Sequence, residues 1–171
     1  GNHHGDHHDY PRDYRNGLPI MLYDLMSYWY QDNIITMLYT YDFSLDIYVP
    51  NINPKKRSRR LKPVIVYFVG GSWMFTTRRY GLVLGKVIDT SKVILVVPDV
   101  GNGPFHNITS MINRVKLSLA WVVGNIDKYG GDPSRITLLG HSSGAFLVHR
   151  AIALMEPLML QTKIGNASGR H

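Results

Sequence analysis

Apolar residues change their spacing several times along this chain, and each change marks an element. Ile34 to Thr40 is strongly apolar and Leu45 to Val49 is again strand-like, so with Asp42 and Ser44 between them the two read as a hairpin. Pro63 leads into Val64-Ile65-Val66-Tyr67-Phe68-Val69, an unbroken β-branched and aromatic run that predicts a strand covered on both faces. Regular structure should stop at Gly70-Gly71-Ser72-Trp73. Val93 to Val97, closed by Pro98 and Asp99, predicts a second buried strand, and Tyr80 to Thr90 is long enough for a crossover helix between the two. From Ile108 onward Met111, Ile112, Val115, Leu119, Val122 and Ile126 recur at spacings of three or four, the stripe of a long helix. Tyr129 to Pro133 ends it. Ile136 to Leu139 is a further strand run before Gly140, and a last helix is expected from about Ser143 to Leu154.

Alternating strands and helices predict an α/β fold, a mostly parallel sheet with an amino-terminal hairpin and flanking helices joined by right-handed crossovers. At 171 residues one domain is expected. Its body should run over residues 34–160, after a histidine-rich tail and amphipathic lead-in at 1–33 and before a flexible carboxyl-terminal tail at 161–171. No repeat or heptad array is present. Ile136–Leu139 is the last clear strand, so its outer side is expected to form an open apolar edge that invites self-association.

Composition narrows the chemistry. The absence of cysteine excludes disulfides, zinc thiolate sites and thiol nucleophiles, which makes serine the nucleophile to look for. Charge is uneven: residues 1–50 carry two basic and seven acidic side chains, whereas 51–171 carry seventeen and five. Lys55, Lys56, Arg57, Arg59, Arg60 and Lys62 supply much of the excess and read as a solvated loop between strands. No RNA- or DNA-reading fold accompanies them, so nucleic acid is not an expected partner. No apolar run approaches the roughly 20 residues that cross a bilayer. Leu18 to Tyr30, aromatic-rich and mostly apolar, could instead lie on the domain or on a membrane surface, and a cytoplasmic or endomembrane-associated location is left open. His3, His4, His7 and His8, with Asp6 beside them, have weak metal affinity at most, because nothing fixes their geometry. No metal or cofactor is expected. The glycosylation patterns at Asn107-Ile108-Thr109 and Asn166-Ala167-Ser168 read as incidental.

The sharpest chemical signal is Gly140-His141-Ser142-Ser143-Gly144, a G-x-S-x-G motif between a predicted strand and a predicted helix. A serine there sits on a tight turn, and Gly140 and Gly144 let backbone and helix approach closely. The Ser142 hydroxyl becomes a nucleophile when a neighbouring base takes its proton. The Ser143 amide, at a helix start, can face a developing oxyanion. Gly71 and Ser72, in the loop after the first buried strand, offer the amides that would complete that oxyanion hole. His141 should shape the pocket wall, and Trp73 and Phe75 offer apolar surface for an acyl or prenyl group or pack into the core.

The chain resembles the α/β-hydrolases near the hormone-sensitive-lipase and carboxylesterase group, and among them looks most like the prenylcysteine methylesterase-like branch. The matching stretches are Leu45 to Pro50, Lys62 to Tyr67 leading to Gly70-Gly71-Ser72-Trp73, Trp121 to Val123 with Asn125-Ile126, Tyr129 to Ile136, and Gly140 to Ala145. The resemblance implies that Ser142 is the nucleophile, that the Gly71, Ser72 and Ser143 amides are oxyanion donors, and that the substrate is a small apolar carboxylic ester, with a prenylated cysteine methyl ester as one candidate. Val69 stands where many relatives have histidine. Pro98-Asp99-Val100-Gly101-Asn102 lacks the tyrosine and arginine that commonly follow the aspartate, which puts the local support of the site in question.

In this family the acid and the histidine of the triad follow the serine, on loops after later strands. After Ser142 the chain has one acid, Glu156, and two histidines, His149 and His171. On a continuous helix His149 and Glu156 lie about 10 and 21 Å from Ser142 at 1.5 Å per residue, too far for proton transfer. His171 has no strand to position it. His106, after the second buried strand and on the same rim, is the substitute base that the order of elements allows. Asp99 fits a loop-stabilising role better than a catalytic one. The expectation is therefore an amino-terminal fragment of a serine carboxylesterase, weakly active or inactive by itself, with a non-catalytic interaction protein on a hydrolase scaffold as the alternative.

Overall fold

A computed structural model describes residues 33–49 and 60–168, with side chains described as far as Met155. The histidine pairs, Leu18 to Tyr30, the basic run up to Arg59, and His171 lie outside the described residues.

Among the described residues five strands and three α-helices follow one another: β1 (Ile34–Leu38), β2 (Ser44–Tyr48), β3 (Lys62–Phe68), α1 (Gly81–Val87), β4 (Ile94–Pro98), α2 (Ile108–Asn125), β5 (Gly131–Gly140) and α3 (Ser143–Ser168). Short 3-10 turns at Arg78–Tyr80 and Ile126–Tyr129 lead into α1 and β5. The strands form one sheet in the order β1-β2-β4-β3-β5. The hairpin is antiparallel within itself and to β4, whereas β4, β3 and β5 are parallel, so the sheet is mixed and its carboxyl-terminal half is parallel.

Period-two alternation divides the side chains of β3 between two cores. Val64, Val66 and Phe68 join Leu45, Ile47, Ile94 and Val96 against the α2 stripe of Met111, Val115, Leu119 and Val122 and against Leu147, Val148 and Ala151 of α3. On the other face Ile65 and Tyr67 pack with Leu95, Val97 and Tyr48 against Leu82 of α1. Each fully buried aliphatic side chain contributes roughly 1.5–3 kcal/mol relative to exposure, and Asn107 starts α2 by accepting the Ser110 amide at 2.8 Å.

Connectivity decides where a site can form. The chain leaves β3 through α1 for β4 on one side, then leaves β4 through α2 and passes back across β3 to β5. With right-handed crossovers, this reversal sends α1 and α2 to opposite faces, where their buried residues lie. The neighbours β3 and β5 therefore release their following segments to opposite sides, opening a crevice at their carboxyl ends.

Two boundaries differ from the sequence reading. β5 begins at Gly131 rather than Ile136, because Lys62 pairs with Gly131 across an irregularity in β3. The helical backbone of α3 continues to Ser168, past the helix end expected near Leu154. At the sheet edge, the outer side of β5 meets no strand among the described residues, and Leu139 is 41% exposed with Phe146, Ile152 and Leu154 exposed on α3.

Candidate active site

Gly140 is in register with Phe68, so the chain leaves β5 and β3 at the same level of the sheet. The His141 amide donates to the Phe68 carbonyl at 3.1 Å, extending the ladder by one bond, and the backbone then reverses at Ser142. Ser142 has φ of 51°, the left-handed region that a residue with Cβ enters at a cost of roughly 1–2 kcal/mol. The turn is closed by the Gly144 amide on the His141 carbonyl at 2.9 Å and the Ala145 amide on the Ser142 carbonyl at 3.0 Å. Gly144 lies on the Phe68 carbonyl, where a Cβ has no room. Ser142 is exposed at the tip of this turn while Ser143, the first residue of α3, is buried.

The turn after β3 lies directly against it. A Cβ on Gly70 would stand 2.6 Å from the His141 carbonyl oxygen and 2.9 Å from the Ser142 Cβ, so glycine at this position is what lets the two loops touch. Ser72 and Trp73 both have left-handed backbones, φ 52° and 60°. The Met74 and Phe75 amides close the turn on the Gly71 carbonyl at 3.0 and 2.9 Å. Trp73 meets Phe146 of α3 edge to face at 5.9 Å between ring centres. The Gly71 amide, which the sequence offers as an oxyanion donor, donates here to the Ser143 hydroxyl at 3.1 Å. In this conformation the Ser143 hydroxyl is a competing acceptor for that amide.

Support for the turn comes from the loop after β4. The Asn102 side chain accepts the Thr76 amide at 2.7 Å and donates to the Thr76 carbonyl at 2.7 Å, and the Thr76 hydroxyl also bonds it. The Gly103 amide donates to the Trp73 carbonyl at 2.7 Å. One turn further on, Arg78 pairs with the fully buried Asp46 of β2 at 2.9 Å and reaches Asp99 at 3.9 Å. Thr36 of β1 donates to the same Asp46 carboxylate at 2.7 Å, and Tyr39 donates to the Asp99 carbonyl. Burial first, and the nearby Asp99 charge second, push the Tyr39 phenol well above its ordinary range. Local support is therefore present without the tyrosine and arginine of relatives, and it is carried by Asn102, Thr76 and Arg78, three residues that sequence reasoning did not single out.

An exposed serine at φ 51° between strand and helix, touching a turn of left-handed residues at the carboxyl end of a neighbouring parallel strand, has the geometry of the elbow found in α/β-hydrolase sheets. Residues 43–159 match the carboxylesterase family model. The chain belongs to the carboxylesterase family. The isoprenylcysteine alpha-carbonyl methylesterase of Arabidopsis thaliana is 34% identical over 119 residues, which cover 70% of this chain and 26% of that protein. Esterase LipQ of Mycobacterium tuberculosis is 33% identical over 101 residues, 57% of this chain and 23% of its own. Among solved structures, a thermophilic esterase of Thermogutta terrifontis superposes with a TM-score of 0.59 at 20% identity, over 68% of this chain and 42% of that one, a likeness of fold. The chain thus spans about a quarter of the length of the curated relatives it matches.

Carboxylesterase chemistry also needs a base, and the structure does not bring the sequence candidates to Ser142. His106 packs edge-on against Phe43 at 5.2 Å and lies over Gly101, with Arg114 on the Phe43 ring at 3.9 Å. These contacts turn it toward β2, with β3 standing between β4 and the elbow strand. It shares the rim with Ser142 but leans away from it. His149 and Glu156 lie on the continuous helix α3 that starts one residue after Ser142. Among the described residues Ser142 Oγ has no hydrogen bond to a histidine or carboxylate, and no three histidine, aspartate or glutamate side chains gather as a metal site. The His141 ring lies beside Gly70.

Proposed function

We propose that this chain carries the nucleophile and oxyanion portion of a serine carboxylic-ester hydrolase. The observation that carries the reading is the left-handed Ser142 at the β5–α3 junction, in contact with the Gly70–Trp73 turn. Ser142 Oγ attacks the ester carbonyl carbon as its proton passes to a base. The tetrahedral oxyanion is met by the Ser143 amide at the start of α3 and by the amides of Gly71 and Ser72, the first of these once the Ser143 hydroxyl releases it. Collapse expels the alcohol with a proton and leaves an acyl-serine, and water then cleaves that ester to give the acid and restore the hydroxyl.

Trp73, Phe75 and Phe146 favour an apolar ester, and kinship with isoprenylcysteine methylesterases supports a prenylated cysteine methyl ester. Since no described histidine or carboxylate bonds Ser142, the chain alone should turn over slowly, at the residual level that binding and oxyanion stabilisation sustain. Comparing hydrolysis of a farnesylcysteine methyl ester with that of a short-chain activated ester tests the substrate class. Faster turnover of the prenylated ester, abolished by Ser142→Ala, supports it; a preference for the short acyl ester contradicts it. Turnover of both at rates typical of complete esterases would contradict the low activity expected of this chain.

A further inference from the structure

We infer that Asn102 is a positioning residue that holds the oxyanion turn in its active shape, an inference resting on the esterase reading. The turn contains two consecutive non-glycine residues, Ser72 and Trp73, with φ of 52° and 60°. Left-handed backbone at such residues persists only where the surroundings over-determine it. Beside its contacts with the elbow and α3, the turn is held by the loop after β4. Asn102 grips both backbone groups of Thr76, accepting the N–H and donating to the C=O at 2.7 Å each, as a strand neighbour would. The Thr76 hydroxyl adds bonds to the Asn102 side chain and to the Gly101 carbonyl, the latter at 3.3 Å. The Gly103 amide takes the Trp73 carbonyl at 2.7 Å. The strap therefore fastens the turn at Trp73 and at Thr76, on either side of Met74 and Phe75.

Only a primary amide makes this pair of contacts. Aspartate retains the acceptor but cannot donate to the Thr76 carbonyl, and alanine loses both. Asn102 touches no reacting atom, so its effect should pass through the geometry of the Gly71 and Ser72 amides, where a displacement of about 1 Å weakens transition-state stabilisation far more than ground-state binding.

The test uses the whole chain with Asn102→Ala and Asn102→Asp and reads two quantities. The first is amide hydrogen exchange across residues 70–77, and the second is the rate at which a serine-reactive phosphonate labels Ser142. We expect exchange in the turn to rise at least tenfold in Asn102→Ala while β3 and β4 keep their protection. Labelling should fall tenfold or more, with Asn102→Asp between the two proteins in both readouts. Unchanged exchange, or a lowered melting temperature with unchanged labelling, overturns the role. If Asn102→Ala does not fold, Asn102→Asp carries the test with the same criteria. Should the parent chain not be labelled at Ser142, the esterase reading fails separately and exchange alone decides whether Asn102 holds the turn.

Discussion

The Gly71 amide and the Ser143 hydroxyl, 3.1 Å apart, join the turn after β3 to the first residue of the helix that carries the serine. This hydrogen bond spans 72 residues of sequence and ties the β3 turn to the start of α3. It also occupies a donor that ester hydrolysis would use. Ser143→Ala should free the amide, raising the rate of phosphonate labelling at Ser142 several-fold and lowering stability by about 1 kcal/mol. Labelling rates and urea unfolding of the two proteins check both halves, and slower labelling would mean that the Ser143 hydroxyl assists rather than competes.

Arg78 pairs at 2.9 Å with a carboxylate that has no exposed surface, Asp46, and lies on the turn that follows the Gly70–Trp73 loop. Removing one partner of a buried pair leaves the other charge badly solvated, at a cost of about 3 kcal/mol or more. Arg78→Ala should therefore destabilise the chain by about that much, and Arg78→Lys by less because it keeps the charge but loses the planar fork. Urea denaturation monitored by tryptophan fluorescence measures both. A loss below about 1 kcal/mol for alanine would show that the pair behaves as a surface one.

Asp132, at the start of β5, is held at about 2 by the Ser134 hydroxyl first, then by Arg135 and the Ser134 amide. A carboxylate lowered in the folded state adds stability above its unfolded value of about 3.9 and loses it as pH falls toward 2. The stability difference between the parent chain and Asp132→Asn should be constant above about pH 5 and shrink through the interval from about 4 to 2. The group is exposed, so the difference will be small. Unfolding midpoints across this range provide the check, and a gap that widens on acidification would contradict the assignment.

Among the described residues no strand pairs with the outer side of β5, which offers backbone groups beside Leu139, with Phe146, Ile152 and Leu154 exposed on the adjoining helix. Sedimentation of the chain should show mass rising with concentration, and Leu139→Lys should shift association to higher concentration by placing a charge on the edge. A monomer at all concentrations would contradict pairing through this edge.

How much of this was legible in the sequence depended on how local each cause is. The continuous run of Val64 to Val69 and the three-four spacing of the α2 stripe are decided within their own segments, and both elements lie where the pattern puts them. The early start of β5 was not legible, because Asp132-Pro133-Ser134-Arg135 carries no alternation and only Gly131, beyond a register shift, is paired with Lys62 of β3. The serine elbow was legible from a five-residue motif flanked by a strand and a helix. The Asn102 strap joins loops 26 residues apart and leaves no periodic trace. His106 shows the same limit: order along the chain places it on the rim, but packing against Phe43 decides which way the ring leans.

The central claim is that Ser142, seated in its strained turn, is the acyl-transfer nucleophile proposed for this chain. Treating the chain with a serine-reactive fluorophosphonate and locating the adduct by peptide mass spectrometry tests this most directly. One adduct per chain is expected, on the peptide that contains Ser142, formed slowly and absent from Ser142→Ala. Labelling that persists in Ser142→Ala, or an unlabelled Ser142 in a folded chain, would contradict the account.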